Sequence, residues 1–325
     1  MNKGFWENLK RPIFALAPMA NVTDAAFRRI IAKYGKPDVM WTEFVSADGL
    51  ALAPEEGRQK LLLDLKYSES ERPIVAQFFT SSPENMKKAA ELAVELGFDG
   101  IDINMGCPDK TIEKQGAGAA LMKNPALARE VLRAAKEGAR STSSGQAALP
   151  VSVKTRVGFN KPELESWLPE ILKEEPAVVT IHARTRKEMS KVPARWEFVK
   201  RAVEIRDETG SKTLIFGNGD VPNLEVARQK VEETGCDGVM LGRAIFGNPW
   251  LFTEREPSTE EKLKVLIEHT KLFEKLLGHI KSFAIMKKHF KAYINGFEGA
   301  GELRARLMET ENALEVEEII NQFLE

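Results

Sequence analysis

The sequence predicts an α/β protein: a closed parallel (β/α)8 barrel, a TIM barrel, followed by an all-helical domain. Three observations carry this. Eight short apolar or β-branched runs recur between residues 13 and 241, each ending in polar or glycine residues. They lack the clean alternation of half-exposed strands, as expected for strands buried on both faces. Helical stretches lie between them, and eight strand–helix units in about 250 residues is the size of such a barrel. Beyond residue 260 only helical periodicity remains.

In order, the runs are 13–18, 38–43, 74–79, 100–104, 151–156, 178–182, 214–218 and 238–241. Residues 82–96 illustrate the intervening helices. Ser82 is a strong N-cap, Pro83 suits the first helical position and Gly97 follows the end. Met86, Ala89, Ala90, Ala93 and Leu96 fall on one face. An open doubly wound sheet is the competing architecture, but no G-x-G-x-x-G follows the first strand. After Phe252 the stretch 254–259 contains Pro257 and reads as a linker, with a helix starting at Ser258 or Thr259. The chain therefore divides into a barrel domain, residues 1–253, and a helical domain, residues 258–325.

Composition narrows the function. The 47 Lys and Arg nearly cancel the 48 Asp and Glu, which excludes a protein that coats nucleic acid by bulk charge. The charge is nevertheless segregated: 271–306 holds eight basic residues against three acids, and 307–325 holds six Glu and no basic residue. Two readings stay open, a solvated helical face beside an acidic last helix or a footprint for a phosphate backbone. Only Cys107 and Cys236 are present, which excludes a disulfide scaffold and a cysteine-rich zinc site, and no metal is expected. The first twelve residues have no signal-peptide core and no segment approaches a bilayer span, so a reducing cytoplasm is the expected home.

Barrel active sites sit where the strands end. Those ends carry Met19, Asn21, Glu43, Gln77, Asn104, Cys107, Lys154, Arg156, His182, Arg184, Asn218, Gly242 and Arg243. Gly217-Asn218-Gly219-Asp220 and Gly242-Arg243-Ala244 follow the seventh and eighth strands, where barrels often bind phosphate. Glycine lets the backbone approach an anion, and Arg243 can complete such a site. Lys154 is flanked by valines, and a lysine aimed into a barrel is costly unless it meets an anion. It could anchor a carbonyl, form a Schiff base or stabilise an anionic flavin. Gln77 could bond a planar heterocycle or merely hold a turn. Cys107, in Asn104-Met105-Gly106-Cys107-Pro108, could be a nucleophile, an acid or a structural thiol. Cys236 lies before the eighth strand, at the opposite end, and reads as a small buried side chain.

Taken together these segments resemble the tRNA-dihydrouridine synthase family. The resemblance rests on Ala17-Pro18-Met19 with Val22-Thr23-Asp24 and Phe27-Arg28; Ala76-Gln77; Ile103 through Pro108; Gly116 through Leu121; Val153-Lys154-Thr155-Arg156; His182-Ala183-Arg184-Thr185-Arg186; Gly217 through Asp220; and Gly238 through Ala244. Met286-Lys287-Lys288-His289, Tyr293 and residues 299–306 are similar to the family's helical domain. The resemblance implies an FMN-binding barrel and a helical tRNA-binding domain. Pro18, Met19, Gln77 and Lys154 would contact the flavin ring and His182 would line it. Asn218, Gly219, Asp220, Gly242 and Arg243 would hold its phosphate. Asn104 would help hold the uracil, Cys107 would be the acid, and Arg184, Arg186, Lys287, Lys288 and His289 would meet the RNA. In that family NADPH, or NADH, reduces FMN; reduced FMN gives hydride to uracil C6 and the cysteine protonates C5.

Two stretches depart from the family's usual pattern. Residues 187–193 lack a tyrosine common there, and 141–148 is a Ser/Gly/Ala-rich insertion. A flavin barrel acting on a free pyrimidine such as dihydroorotate would share Lys154 and both glycine loops, but the basic helical segment and the Cys107 element point away from it. A non-enzymatic RNA-binding barrel has no use for Cys107, Lys154 and His182 together. The expected partner is tRNA, with no membrane, and the expected state is a monomer.

Overall fold

Among the described residues, eight strands form one parallel sheet in the order β1-β8-β7-β6-β5-β4-β3-β2. They are β1 (Ile13–Leu16), β2 (Met40–Ser46), β3 (Ile74–Phe79), β4 (Gly100–Met105), β5 (Val151–Arg156), β6 (Val178–His182), β7 (Leu214–Asn218) and β8 (Gly238–Leu241). A bridge between Ala15 and Val39 joins β1 to the start of β2. Leu16 N–H donates to Val39 O at 3.2 Å and Asp38 N–H to Phe14 O at 2.9 Å, so the ring closes and leaves no free edge. The computed structural model describes residues 3–140, 148–253 and 255–325. The insertion at 141–148, except Ala148, lies outside the described residues, as does the first linker residue.

The third, fifth, sixth, seventh and eighth predicted runs coincide with their strands end to end. β1 stops two residues short of its run, before Pro18, which has no N–H for a ladder. β2 starts two residues late and runs on to Ser46, and its register against β3 shifts between Trp41 and Phe44. Every residue of β3, β4, β7 and β8 is buried, which explains their lack of alternation.

Helices α1 (Ala25–Tyr34), α2 (Ala47–Leu52), α3 (Glu55–Asp64), α4 (Pro83–Glu95), α5 (Lys110–Lys114), α6 (Pro125–Gly138), α7 (Leu164–Leu172), α8 (Glu197–Glu208) and α9 (Leu224–Thr234) connect the strands. In α4 the Ser82 hydroxyl accepts from Asn85 N–H, and Met86, Ala89, Ala90 and Ala93 are buried as predicted. Leu96 is instead the C-cap residue and is exposed, because the helix has ended by then.

The strand starts close over an apolar plug. Trp6, on the short 3-10 turn Gly4–Asn8, packs on Trp41 and Phe216 with ring centroids 5.8 and 5.7 Å apart, alongside Ile13, Val75, Val178 and Leu214. With that end filled by hydrocarbon, polar chemistry is left to the opposite rim.

The chain then continues as α10 (Thr259–Leu277), α11 (Lys287–Tyr293), α12 (Ala300–Met308) and α13 (Ala313–Leu324). The predicted start is met by a capping box: the Ser258 hydroxyl accepts from Glu261 N–H at 3.2 Å and the Glu261 carboxylate accepts from Ser258 N–H at 3.0 Å. This segment sits directly on the barrel. The Phe27 ring of α1 stacks on His269 at 4.8 Å and meets His289 edge-on at 4.7 Å. Lys281 reaches Glu43 of β2 at 2.9 Å and Asp64 of α3 at 2.6 Å. No helix among the described residues is long and apolar enough to cross a membrane.

One ion pair in this wall is fully buried. Arg28 of α1 meets Glu71 at 2.7 Å with both side chains at 0% exposure, and its guanidinium also donates to Thr23 O. Removing one partner would leave an uncompensated charge in the interior. Glu71→Ala is therefore expected to cost about 3–5 kcal/mol of stability, read as a lower denaturant midpoint in chemical unfolding.

Candidate active site

The open rim encloses a cavity of about 780 Å³. Seven strands supply it: Pro18 and Met19 beyond β1; Phe44 on β2; Asn104 and Cys107 at the end of β4 and just after it; Lys154 and Arg156 on β5; His182 and Arg184 at β6; Asn218, Gly219 and Asp220 at β7; Gly242 and Arg243 after β8. The parallel register aligns them. Asn104 lies opposite Lys154, Arg156 opposite His182, and His182 opposite Asn218.

Lys154 is the electrostatic centre. Its Nζ donates to Asn218 Oδ1 at 3.3 Å, and Asn218 Nδ2 donates to Met240 O at 2.7 Å, which turns the amide oxygen toward the lysine. Burial first, and the Arg156 guanidinium second, push the Lys154 amine down to about 8, with Asp102 opposing. The same burial, with Arg156 and Lys154 nearby, holds His182 well below its usual range, so the imidazole is neutral. Its Nε2 lies 3.2 Å from Arg184 Nη1. A guanidinium only donates, so Nε2 accepts and the ring proton belongs to Nδ1.

Cys107 is set by the turn that leaves β4. Asn104 Oδ1 accepts from the N–H groups of Gly106 at 3.1 Å and Cys107 at 2.8 Å, and Cys107 O accepts from Ala119 N–H at 3.0 Å. Gly118 packs against this turn with φ +59°, and a Cβ there would lie 2.9 Å from Cys107 O, so only glycine fits without displacement. Burial pushes the Cys107 thiol up from its ordinary value, outweighing the Asp109 N–H and the charges of Arg156 and Lys154. The thiol therefore keeps its proton at neutral pH.

Several predicted residues are placed differently. The Asp220 carboxylate is already bonded to Arg184, to Arg243 at 2.6 Å and to Ala194 N–H at 2.9 Å. Burial works against its charge, but these partners hold the carboxyl below its usual range. The carboxylate is thus taken up by its partners and aims Arg243, whose side chain is 65% exposed at the rim, which leaves the Asp220 backbone N–H as the group able to meet a phosphate. Arg184 lines the cavity, but its side chain is only 3% exposed and is tied to Val192 O and Asp220; it braces the loop instead of offering a surface to RNA. Arg186 makes two hydrogen bonds to Glu113 and lies over the Phe159 ring at 5.2 Å. Gln77 is fully buried beneath the cavity floor.

On the helical segment Lys287 and Lys288 line a groove of about 440 Å³ with Lys291, Arg304 and Met308. His289 does not join them. It is 0% exposed, wedged against Phe27, His269 and Phe246, so the expectation that it meets RNA is not met. Lys271 and Lys281 also leave the predicted footprint, being paired with Glu317 and with Glu43 and Asp64.

Arg156 is the main site residue absent from the predicted roles. Its guanidinium spans two loops, donating to Gly106 O at 2.7 Å and to Thr185 O and Met189 O at 3.1 Å. The signal was available: two residues after Lys154 on one strand, it faces the same side.

Residues 15–325 match the model of the family described as dihydrouridine synthase. The chain belongs to this family. It is 40% identical over 328 residues to the probable tRNA-dihydrouridine synthase 2 of Bacillus subtilis (strain 168), covering 99% of this chain and 97% of that one. It is 39% identical over 327 residues to the probable tRNA-dihydrouridine synthase of Staphylococcus aureus (strain COL), covering 99% and 96%. The barrel and the helical segment are thus both shared with these dihydrouridine synthase relatives. Among solved structures, histamine dehydrogenase from Rhizobium sp. 4-9 superposes with a TM-score of 0.53 at 14% identity, over 80% of this chain and 48% of that one. Morphinone reductase superposes with a TM-score of 0.51 at 12% identity, over 74% and 84%. At that identity these two speak for the barrel fold alone.

Proposed function

We propose that this dihydrouridine synthase family enzyme reduces the C5=C6 bond of uridines in tRNA, with FMN in the barrel mouth and NADPH or NADH as reductant. The observation that carries the reading is that the Cys107 thiol and the half-buried Lys154 amine line one cavity at the barrel mouth. That the relatives are named as tRNA-dihydrouridine synthases supports tRNA as the substrate.

The residues fit the cofactor. Lys154 is a half-buried cation whose bond to Asn218 is a single 3.3 Å contact with a neutral oxygen, a state that an anionic ring would relieve. Gly219, Gly242 and Arg243 would take the phosphate, Pro18 and Met19 would wall the ring, and neutral His182 would offer its Nδ1 proton. A reduced flavin held there would supply the hydride for C6. Cys107 gives its Sγ proton to C5, and the charges of Arg156 and Lys154 stabilise the thiolate left behind. Asn104 borders the same space and would help hold the uracil. A base in folded tRNA must leave its stack to arrive there, so the RNA backbone has to be gripped nearby.

In this reading residues 1–253 do the chemistry and 258–325 hold the RNA, with the groove of Lys287, Lys288, Lys291 and Arg304 as the grip. One chain supplies the whole cavity, and it acts as a monomer. Purified protein with FMN and NADPH is expected to form dihydrouridine in an unmodified tRNA transcript and none from free uridine or orotate. The opposite preference would favour the free-pyrimidine alternative. The double variant Lys287→Glu, Lys288→Glu is expected to weaken tRNA binding at least about tenfold and to flatten the slope of log affinity against log salt by about 2. Unchanged affinity and slope would remove this groove as the footprint.

A further inference from the structure

Asp102 and Ser152, at the inner end of a string of polar side chains that leads to Asn104, have no task in the chemistry described so far. Asp102 is 1% exposed on β4, and in register it lies between Gln77 of β3 and Ser152 of β5. Gln77 Nε2 donates to Asp102 Oδ2 at 2.5 Å, and Ser152 Oγ donates to Asp102 Oδ1 at 2.5 Å. Gln77 Oε1 accepts from Asn104 Nδ2 at 3.0 Å. Asn104 Oδ1 accepts from the N–H groups of Gly106 and Cys107. The string thus joins a buried carboxylate to the backbone of the proposed acid.

Each link orients the next. A side-chain amide can present either its oxygen or its NH2, but an ionised carboxylate only accepts. Asp102 therefore draws the Gln77 NH2 toward itself and leaves Gln77 Oε1 facing Asn104. Asn104 answers with its own NH2, which turns its oxygen to the two backbone N–H groups. Flipping either amide would set like against like in a buried place, where an unmet polar group costs most. Burial pushes the Asp102 carboxyl up to about 6, against the bonds from Ser152 and Gln77 and the charge of Lys154, so it is ionised at pH 7 and above.

We propose that Asp102 is a positioning residue for Cys107, acting through the fixed amides of Gln77 and Asn104; this rests on the reading of Cys107 as the acid. Asp102 itself does not line the cavity. Its role is to order the turn, so that the thiol sits where a proton can be delivered.

The test uses full-length protein with three single variants and one double. Asp102→Leu removes the acceptor at similar volume. Asp102→Asn removes the charge but keeps an oxygen for Gln77, because the Ser152 hydroxyl can turn to accept from the new NH2. Gln77→Leu cuts the string one link further on. Two readouts are taken: dihydrouridine formed in tRNA, and the rate at which iodoacetamide alkylates Cys107, followed by mass on its peptide. The second needs neither cofactor nor RNA.

Asp102→Leu is expected to lower kcat by about 10- to 100-fold, with KM for tRNA changed by less than about twofold, the scale of a small misplacement of a reacting group. Asp102→Asn should recover to within about fivefold of wild type. The double variant Asp102→Leu, Gln77→Leu should lose no more than the worse single variant, and both singles should shift Cys107 alkylation alike. Unchanged turnover in Asp102→Leu, or multiplied losses in the double variant, would overturn the proposal. So would an Asp102→Asn as impaired as Asp102→Leu, since the effect would then belong to charge near Lys154. Should Asp102→Leu not fold, Asp102→Asn near wild type beside an impaired Gln77→Leu supports the proposal, and equal impairment overturns it. If wild type forms no dihydrouridine, the reading of function fails, and the alkylation rates still decide the string.

Discussion

Replacing Cys107 with alanine is expected to leave flavin binding intact and to cut dihydrouridine formation by about 10²- to 10⁴-fold, the range a positioned general acid contributes. The turn that carries residue 107 is built from Asn104, Gly118 and Ala119 and does not use the thiol, so the backbone should survive the change. The pH profile gives a second check. An acid is useful only while protonated, and burial raises the Cys107 pKa above its ordinary value near 9. Its protonated fraction therefore persists as pH rises from 7 to 9. A wild-type rate that fell with the titration of an ordinary thiol would sink this assignment, as would unchanged turnover in the alanine variant.

Lys154→Met should act in two opposite directions. Loss of the amine removes the anion partner in the barrel, so flavin affinity and reductase activity should fall by about 100-fold or more, the weight of a buried charged partner. The cofactor-free variant should nonetheless be more stable than wild type. Folding lowers the amine from its ordinary 10.5 to about 8, so below pH 8 the fold carries a charge it disfavours. The difference is on the order of 3 kcal/mol, and a gain of about 1–3 kcal/mol in chemical unfolding at pH 7 is expected. For a base whose pKa is lowered by folding, wild-type stability should rise as pH climbs through about 8, and that rise should be missing in Lys154→Met. A variant less stable than wild type would mean that the amine is well satisfied without an anion.

The strands were legible because burial on both faces leaves continuous apolar runs, and the rim residues were legible because a barrel puts its chemistry at strand ends. Orientation was less so. Lys287-Lys288-His289 reads as one basic cluster, yet a helix turns 100° per residue and sends His289 inward with Met286, Phe290 and Tyr293. The spacing 286, 289, 290, 293 carried that signal, and the adjacent lysines masked it. Asp102 stands between Ile101 and Ile103, a polar residue alternating with apolar ones in a strand that otherwise reads as solid core. What no strand pattern could reveal was its partners, because Gln77 and Ser152 become neighbours only once three strands are aligned. A Gly-Asn-Gly-Asp turn likewise does not say that two arginines have already claimed the Asp220 carboxylate.

The contact of Phe27 with His269 and His289 bears on how this protein can be altered. Phe27 belongs to the barrel wall, but its covering comes from the last quarter of the chain. Cutting the chain in the linker would strip His269 and His289 from Phe27 and leave Glu43 and Asp64 without Lys281. The helical segment is therefore not an exchangeable module. A graft from a relative of different specificity would have to bring side chains that complement this patch, and without them it would yield an aggregating barrel in place of a retargeted enzyme.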